Sequence, residues 1–419
     1  MTETMQMVAA VRVLDRARLA QAAEWLAVAV AVSLPWSTSA SGILIALWLL
    51  AFLPTLDPRA LPRALVIPAA ALPVALFALT VLGMGWSNAS LVDQIGSVKP
   101  VLRLLAIPLL FVQFSNSDRG MRVVGGFLAS CTALLVLSWV LWTWPPVPIQ
   151  DNGFPAVPVK DYIIQSGEFL ICTFAFAHLS ITAAREGRRA RALVLALLAM
   201  GFFTNIVFVA TGRSTLVVFA ALLPILAIQR FDWRGVIGIV VAGATLAAIA
   251  WMSSPYLRLR VQNVAQEIHL YRTANAETST GYRLEFWTKS IRFITAAPVF
   301  GHGTGSVMDL FREAATGDRG PSAAITDQPH NQTFIVAIQL GLLGAALLFA
   351  MWISHLLLFR GGGLAAWLGT GVVVQNIVSC LFNSYLFEFT MGWIYVFGVG
   401  VLGGMMLRGV RQSDGRPGP

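Results

Sequence analysis

Two ionisable residues stand where membrane insertion alone gives no reason for them. Arg213 lies in the break VATGRSTLVV between two apolar segments, and His330 lies in DQPHNQTF at the head of another. Arginine offers a planar fork of donors matched to phosphate oxygens. A neutral imidazole is the usual general base near neutral pH. Counting apolar segments from the N-terminus puts both residues at one membrane face, the face poor in positive charge. A fixed cation and a titratable base at one lipid–water boundary predict chemistry on an anionic substrate carried by the membrane.

Each residue also has a plainer reading. An arginine at a helix end often snorkels to the interface, but Gly212 permits a sharp break and Ser214 and Thr215 are suited to cap the next helix. A helix N-terminus beside a guanidinium is an anion site. A lone interface histidine is more often structural, yet nearby cations would hold His330 unprotonated. Arg283, in GYRLEFW, reads either as a phosphate ligand or as a surface partner of Glu285 or Glu277, worth under ~1 kcal/mol. Lys99 and Arg103, in SVKPVLRLL, sit one helical turn apart around a proline and are placed to flank the same groove. Asn331 follows His330, and NSYLFEFT places Asn383 and Glu388 where a carboxylate can orient the imidazole or an acceptor. Lys160 and Asp161 read as an ordinary exposed pair. The glycine turn GHGTG lacks the strand and Lys-Ser/Thr of a phosphate-binding P-loop, so it reads as a helix terminator. No paired carboxylates or His/Cys sets have metal-ligand spacing, so neither metal nor cofactor is expected.

The elements that must position these groups are set by composition. Of 419 residues, 57% are hydrophobic and only 12% charged, against about 25% charged in soluble domains. Twelve apolar segments follow one another, near 23–36, 38–54, 64–84, 101–115, 122–144, 162–184, 192–210, 214–229, 235–252, 332–358, 362–382 and 389–407, which predicts an all-α polytopic membrane protein. Arginines such as Arg59, Arg63, Arg188, Arg360 and Arg408 fall in alternate connections, so both termini are expected on the cytoplasmic side. The N-terminal segment lacks a small-residue cleavage site and reads as an anchor. The net charge of +9 is spread over many loops and does not form a nucleic-acid surface. Cys131, Cys172 and Cys380 lie within apolar runs and read as core.

Residues 253–331 interrupt the pattern, dividing the chain into spans 1–9 (1–252), a helical outer loop (253–331) and spans 10–12 with a tail (332–419). Nearly eighty residues are too many for a structureless loop. Leu257, Val261, Val264, Ile268 and Tyr271 recur at helical spacing, as do Leu284, Trp287, Ile291 and Ile294. Two amphipathic helices at the membrane surface are therefore predicted, the second ended by PVFGHGTGS.

The motifs TGRST, YRLEFW, PVFGHGTGS and PHNQTFIVAIQLGLLG, in this order and spacing from Thr211 to Gly344, resemble the O-antigen ligase/polymerase superfamily of bacterial inner-membrane glycosyltransferases. The resemblance implies a GT-C fold, a large periplasmic loop and an undecaprenyl-diphosphate-linked O-antigen as donor. It assigns the family's functional arginines to Arg213 and Arg283 and its histidine to His330, and loosely matches a late acidic residue to Glu388. Within the superfamily a single dominant loop fits a ligase, whose acceptor is lipid A–core. An O-antigen polymerase and a protein O-oligosaccharyltransferase are the alternatives. A lipid-linked oligosaccharide transporter would instead place its polar groups near the bilayer midplane.

Overall fold

Apolar runs separated by proline, glycine and arginine become helices along the whole chain. A computed structural model describes residues 2–144, 156–210, 212–229, 232–253 and 255–413, and the side chains of Arg213, Leu257 and Val261 lie outside what it describes. In chain order the helices are α1 (Thr2–Ser33), α2 (Thr38–Phe52), α3 (Ala60–Ala64), α4 (Pro68–Leu82), α5 (Leu91–Leu102), α6 (Ala106–Ser115), α7 (Gly120–Thr143), α8 (Tyr162–Arg185) and α9 (Arg189–Phe208). They continue with α10 (Arg213–Ile228), α11 (Trp233–Ser253), α12 (Pro255–Ala274), α13 (Ser279–Ala296), α14 (Val307–Glu313), α15 (Gln332–Leu358), α16 (Gly363–Ser379) and α17 (Phe389–Ser413). No strand occurs among the described residues.

Helix covers each of the twelve expected segments, but they are not equal. Among the described residues eight stretches are long and apolar enough to cross a membrane: 38–55, 68–86, 91–115, 120–143, 162–185, 189–208, 332–358 and 389–410. The chain is therefore a membrane protein. Three of the other four expected spans coincide with shorter apolar stretches, Ser214–Ile225, Trp233–Thr245 and Gly363–Ser379, and the fourth with the end of α1.

The chain divides into two compact units. The first comprises residues 1–70, 106–211 and 396–419. Its centre is the pair α8 and α9, where Phe202 meets Phe169 edge-on at 5.0 Å and stacks on Phe176 at 5.7 Å. Within it Ser138, Gln165 and Asn205 satisfy one another's polar atoms. Lys160 and Asp161 are not an exposed pair: the Lys160 ammonium donates to the Leu34 carbonyl and lies 3.8 Å from the buried Glu168 carboxylate, while Asp161 caps α8. Burial in apolar surroundings makes such a partner obligatory for a charge.

The second unit comprises residues 71–105 and 212–395 and contains every candidate site residue. The expected helices of the outer loop are α12 and α13. Two carboxylates stitch them together: Glu267 accepts from the Thr280 amide and hydroxyl, and Glu285 accepts from Tyr271 at 2.6 Å and pairs with Lys289 at 3.2 Å. The sequence pattern did not mark α14. Its Phe311 is fully buried, edge-on to both Phe286 and Phe293 of α13, so this helix of about two turns props α13 from behind.

The glycine turn does end α13, and it also mends a break in α15. Gly341 has φ 64° and ψ −164°, which interrupts the helix. The carbonyls of Ile338 and Gln339 take the amides of His302 and Gly303, each at 2.9 Å, and the Gln339 side chain takes the Gly305 amide at 2.7 Å. In return the Leu342 amide donates to Pro298 at 2.8 Å. A broken helix leaves backbone groups without intrahelical partners, and burying them unpaired would be costly. A Cβ on Gly341 would stand 2.2 Å from the Val299 carbonyl oxygen, so only glycine permits this approach.

Candidate active site

Three segments meet at His330: the head of α15, the first turns of α13 and the connection from α16 to α17. Asn331 caps α15, its side-chain oxygen accepting from the Phe334 amide at 3.1 Å. Its amide nitrogen donates to Leu381 at 3.2 Å, and the Gln332 amide donates to Cys380 at 2.9 Å. The head of α15 is thus pinned to the end of α16. His330, just before the cap, adopts φ 55°, a left-handed conformation that histidine tolerates better than most side chains.

Two contacts then set the imidazole. One face lies on the Phe286 ring, with centroids 6.2 Å apart and planes 27° from parallel. Nδ1 lies 3.1 Å from the Asn383 side-chain oxygen. The orientation of that carboxamide follows from a second bond, because the Ser384 backbone N–H, which can only donate, points at the same atom at 2.9 Å. The atom is therefore an acceptor, so Nδ1 carries the hydrogen and the lone pair of the neutral ring resides on Nε2. The partner that fixes one ring nitrogen thereby defines the chemistry of the other.

The electrostatics favour that neutral ring. The His330 pKa is lowered from its ordinary 6.5, first by burial, and further by the Arg283 guanidinium; the Asn383 bond acts in the opposite sense. Arg283 stands one turn before Phe286 on α13, so the helix that supplies the stacking ring also brings the cation. On the same helix Glu285 is engaged by Tyr271 and Lys289, and just before the helix Glu277 accepts from the Gly320 amide at 3.3 Å. The Tyr271 hydroxyl is pushed up to about 12 by burial and by its bond to Glu285.

The remaining candidates are placed differently. Arg103 directs its guanidinium at the backbone, donating to the carbonyls of Phe387 at 3.2 Å, Phe389 at 3.3 Å and Glu388, with the Phe389 ring 6.0 Å away. Glu388 accepts from the Met391 amide at 2.6 Å, so its carboxylate caps the first turn of α17. A Cβ on Gly392 would stand 2.1 Å from an Arg103 nitrogen, which makes room for that guanidinium another requirement for glycine. Arg103 and Glu388 thus hold the connection that carries Asn383. Lys99 is exposed in the last turn of α5. Arg213 opens α10 as anticipated, but Gly212 is the cap residue and no side chain caps it. Ser214 and Thr215 lie inside the first turn.

Among the described residues no group of three or more His, Cys, Asp or Glu is placed to hold a metal ion. The supports that escaped sequence reasoning are Phe286, Phe311 and the break at Gly341. The only trace of the break is a glycine inside the apolar run AIQLGLLG. His330 and Arg283 come together with Asn383, an imidazole held beside a cation.

Residues 195–349 match a protein-family model described as O-antigen ligase. That stretch holds Arg213, Arg283, the glycine turn, His330 and Gly341. No curated protein matches the chain.

Proposed function

From a chain whose residues 195–349 match a family model described as O-antigen ligase, we propose a glycosyltransferase that moves O-polysaccharide from undecaprenyl diphosphate to lipid A–core. In this reading it is a multi-pass protein of the bacterial inner membrane with a GT-C fold. Its site opens on the periplasmic face and both termini are cytoplasmic. The observation that carries the mechanism is the bond from His330 Nδ1 to Asn383, itself oriented by Ser384. It leaves Nε2 as a proton acceptor in a half-buried place where protonation is disfavoured.

The acceptor sugar hydroxyl gives its proton to His330 Nε2 as its oxygen forms a bond to the donor's anomeric carbon. The bond from that carbon to the diphosphate breaks, and its electron pair leaves with undecaprenyl diphosphate. One displacement of this kind inverts the anomeric configuration. Arg283 and Arg213 hold the diphosphate and offset the charge that grows on it, a role suited to bidentate guanidinium–phosphate contacts. The lipid diphosphate is already an activated leaving group, so neither nucleotide nor metal is required. Asn331, which caps α15 beside His330, and the exposed Lys99 are the further substrate contacts of this reading, and Arg103 and Glu388 act by holding the connection behind Asn383.

The test is reconstitution of the full chain with lipid-linked O-polysaccharide, in excess EDTA, offered three acceptors. Transfer to lipid A–core supports the ligase reading. Transfer only to a second donor molecule would make it a polymerase, and transfer only to a pilin-like protein an O-oligosaccharyltransferase. Loss of transfer that Mg²⁺ or Mn²⁺ restores would overturn the metal-free mechanism.

A further inference from the structure

The lipid-facing stripe of α15 starts abruptly. From Leu342 onward one face is exposed at Leu342, Leu343, Ala346, Phe349, Ile353 and Leu357, which from Leu343 recur at the three- and four-residue spacing of a single helical side. Before Gly341 no residue of α15 is exposed. Just before the break, Gln339 is covered by the glycine turn, through the bonds from Gly303 and Gly305. One helix therefore changes environment at its break.

Beside the break lies an apolar patch that none of the described residues covers. Val299 and Phe300 are 57% and 59% exposed, although backbone bonds from Leu342 and Leu343 tie their segment to α15. Trp86 packs edge-on to Phe300 at 6.3 Å and donates its indole N–H to the Phe300 carbonyl at 3.2 Å. Amphipathic aromatic residues of this kind gather at membrane–water interfaces. From Leu342 to Leu358 the helix has 17 residues, a length of about 25 Å and close to the hydrocarbon thickness. Exposed Arg360 follows at the other end.

We propose that the bilayer surface crosses this unit at Gly341, and that Trp86, Val299, Phe300, Leu342 and Leu343 form an anchor seated in the lipid interface. The upper part of α15, Gln332–Gly341, then stands outside the hydrocarbon. α13 measures the same height on the other side: its Phe286 stacks on His330, and the carbonyl of Pro298, just past its end, receives the Leu342 amide. His330 is carried up to about 15 Å above the hydrocarbon boundary along α15. The lipid is the occupant because the patch is continuous with the side of α15 that faces lipid. The inference concerns depth alone and does not rest on the proposed reaction.

The experiment places a nitroxide at Phe300→Cys, Leu343→Cys, Ile353→Cys and Ile325→Cys in the full chain, reconstituted in phosphatidylethanolamine–phosphatidylglycerol vesicles. The three native cysteines are buried. Collisions with oxygen and with a water-soluble nickel chelate report depth. The label at 353 should meet oxygen and exclude nickel, the label at 325 should show the reverse, and those at 300 and 343 should fall between. Phe300 as open to nickel as Ile325, or as deep as Ile353, would overturn the proposal. Hydroxyl-radical footprinting of the wild-type chain in nanodiscs gives the same answer without substitution. Trp86 and Phe300 should be protected there, and labelling at the rate their exposure implies would count against the anchor.

Discussion

Replacing Asn383 with aspartate puts a carboxylate against His330 Nδ1, where an amide oxygen now lies at 3.1 Å. The Ser384 amide can still donate to it, and Arg283 nearby helps keep it ionised. A hydrogen bond to a charged group contributes ~1.5–3 kcal/mol against ~0.5–1.5 for a neutral pair. The gain favours imidazolium by about 1.4 kcal/mol, equal to about one pKa unit. In the wild type, burial and Arg283 hold the imidazole below 6.5. A base that must be neutral gives a rate that rises with pH through its pKa, so the wild-type acid limb lies below that value. In Asn383→Asp the limb moves up by about one unit, with transfer about tenfold lower on the acid side and little changed at pH 8. The same shift acts on stability. A depressed imidazole binds fewer protons when folded, so its contribution is present above pH 6.5 and is lost as pH falls through the folded value. The variant narrows that acid-sensitive window. Transfer rates and melting temperatures over pH 5–8.5 decide the matter. An acid limb that stays put or moves down would refute the assignment of Nδ1 as donor to Asn383, or of His330 as the titrating base.

Three further outcomes follow from the same geometry. His330→Asn keeps a side chain that tolerates φ 55° but removes the base, so turnover should fall ~10²–10⁴-fold with melting temperature nearly unchanged; a parallel loss of stability would mark a structural histidine. Arg283→Lys keeps the charge and loses the planar fork, so transfer should drop about ten- to hundredfold while the acid limb, set by charge, stays in place; near-wild-type transfer would remove Arg283 from diphosphate binding. Gly341→Ala forces a Cβ onto Val299 in a left-handed conformation and should destabilise by about 1–3 kcal/mol or more, whereas Gly371→Ala, in open helical space, should be neutral or stabilising by ~0.5–1 kcal/mol; equal thermal unfolding of the two variants would show that the break is not strained.

The sequence by itself determined what local chemistry governs. Apolar runs placed helix at twelve positions, because burying an unpaired backbone in lipid is prohibitive. The 3.6-residue pattern at Val264, Ile268 and Tyr271, and again from Leu284 to Ile294, marked α12 and α13. The types and spacing of Arg213, Arg283 and His330, set in motifs of recognisable order, carried the resemblance to the family whose model matches residues 195–349. Tertiary structure alone decided which groups face one another. Arg103 is an anion ligand by residue type, yet it holds three carbonyls of a connection almost three hundred residues away. Glu388 looked like a partner for the imidazole, but the carboxylate caps α17 and Asn383 takes that place. Gly341 reads as one glycine in an apolar helix, and its break exists because the turn at 298–305 supplies the missing hydrogen bonds. A side chain's type limits the bonds it can make, whereas its partner is fixed by long-range packing that no local pattern records.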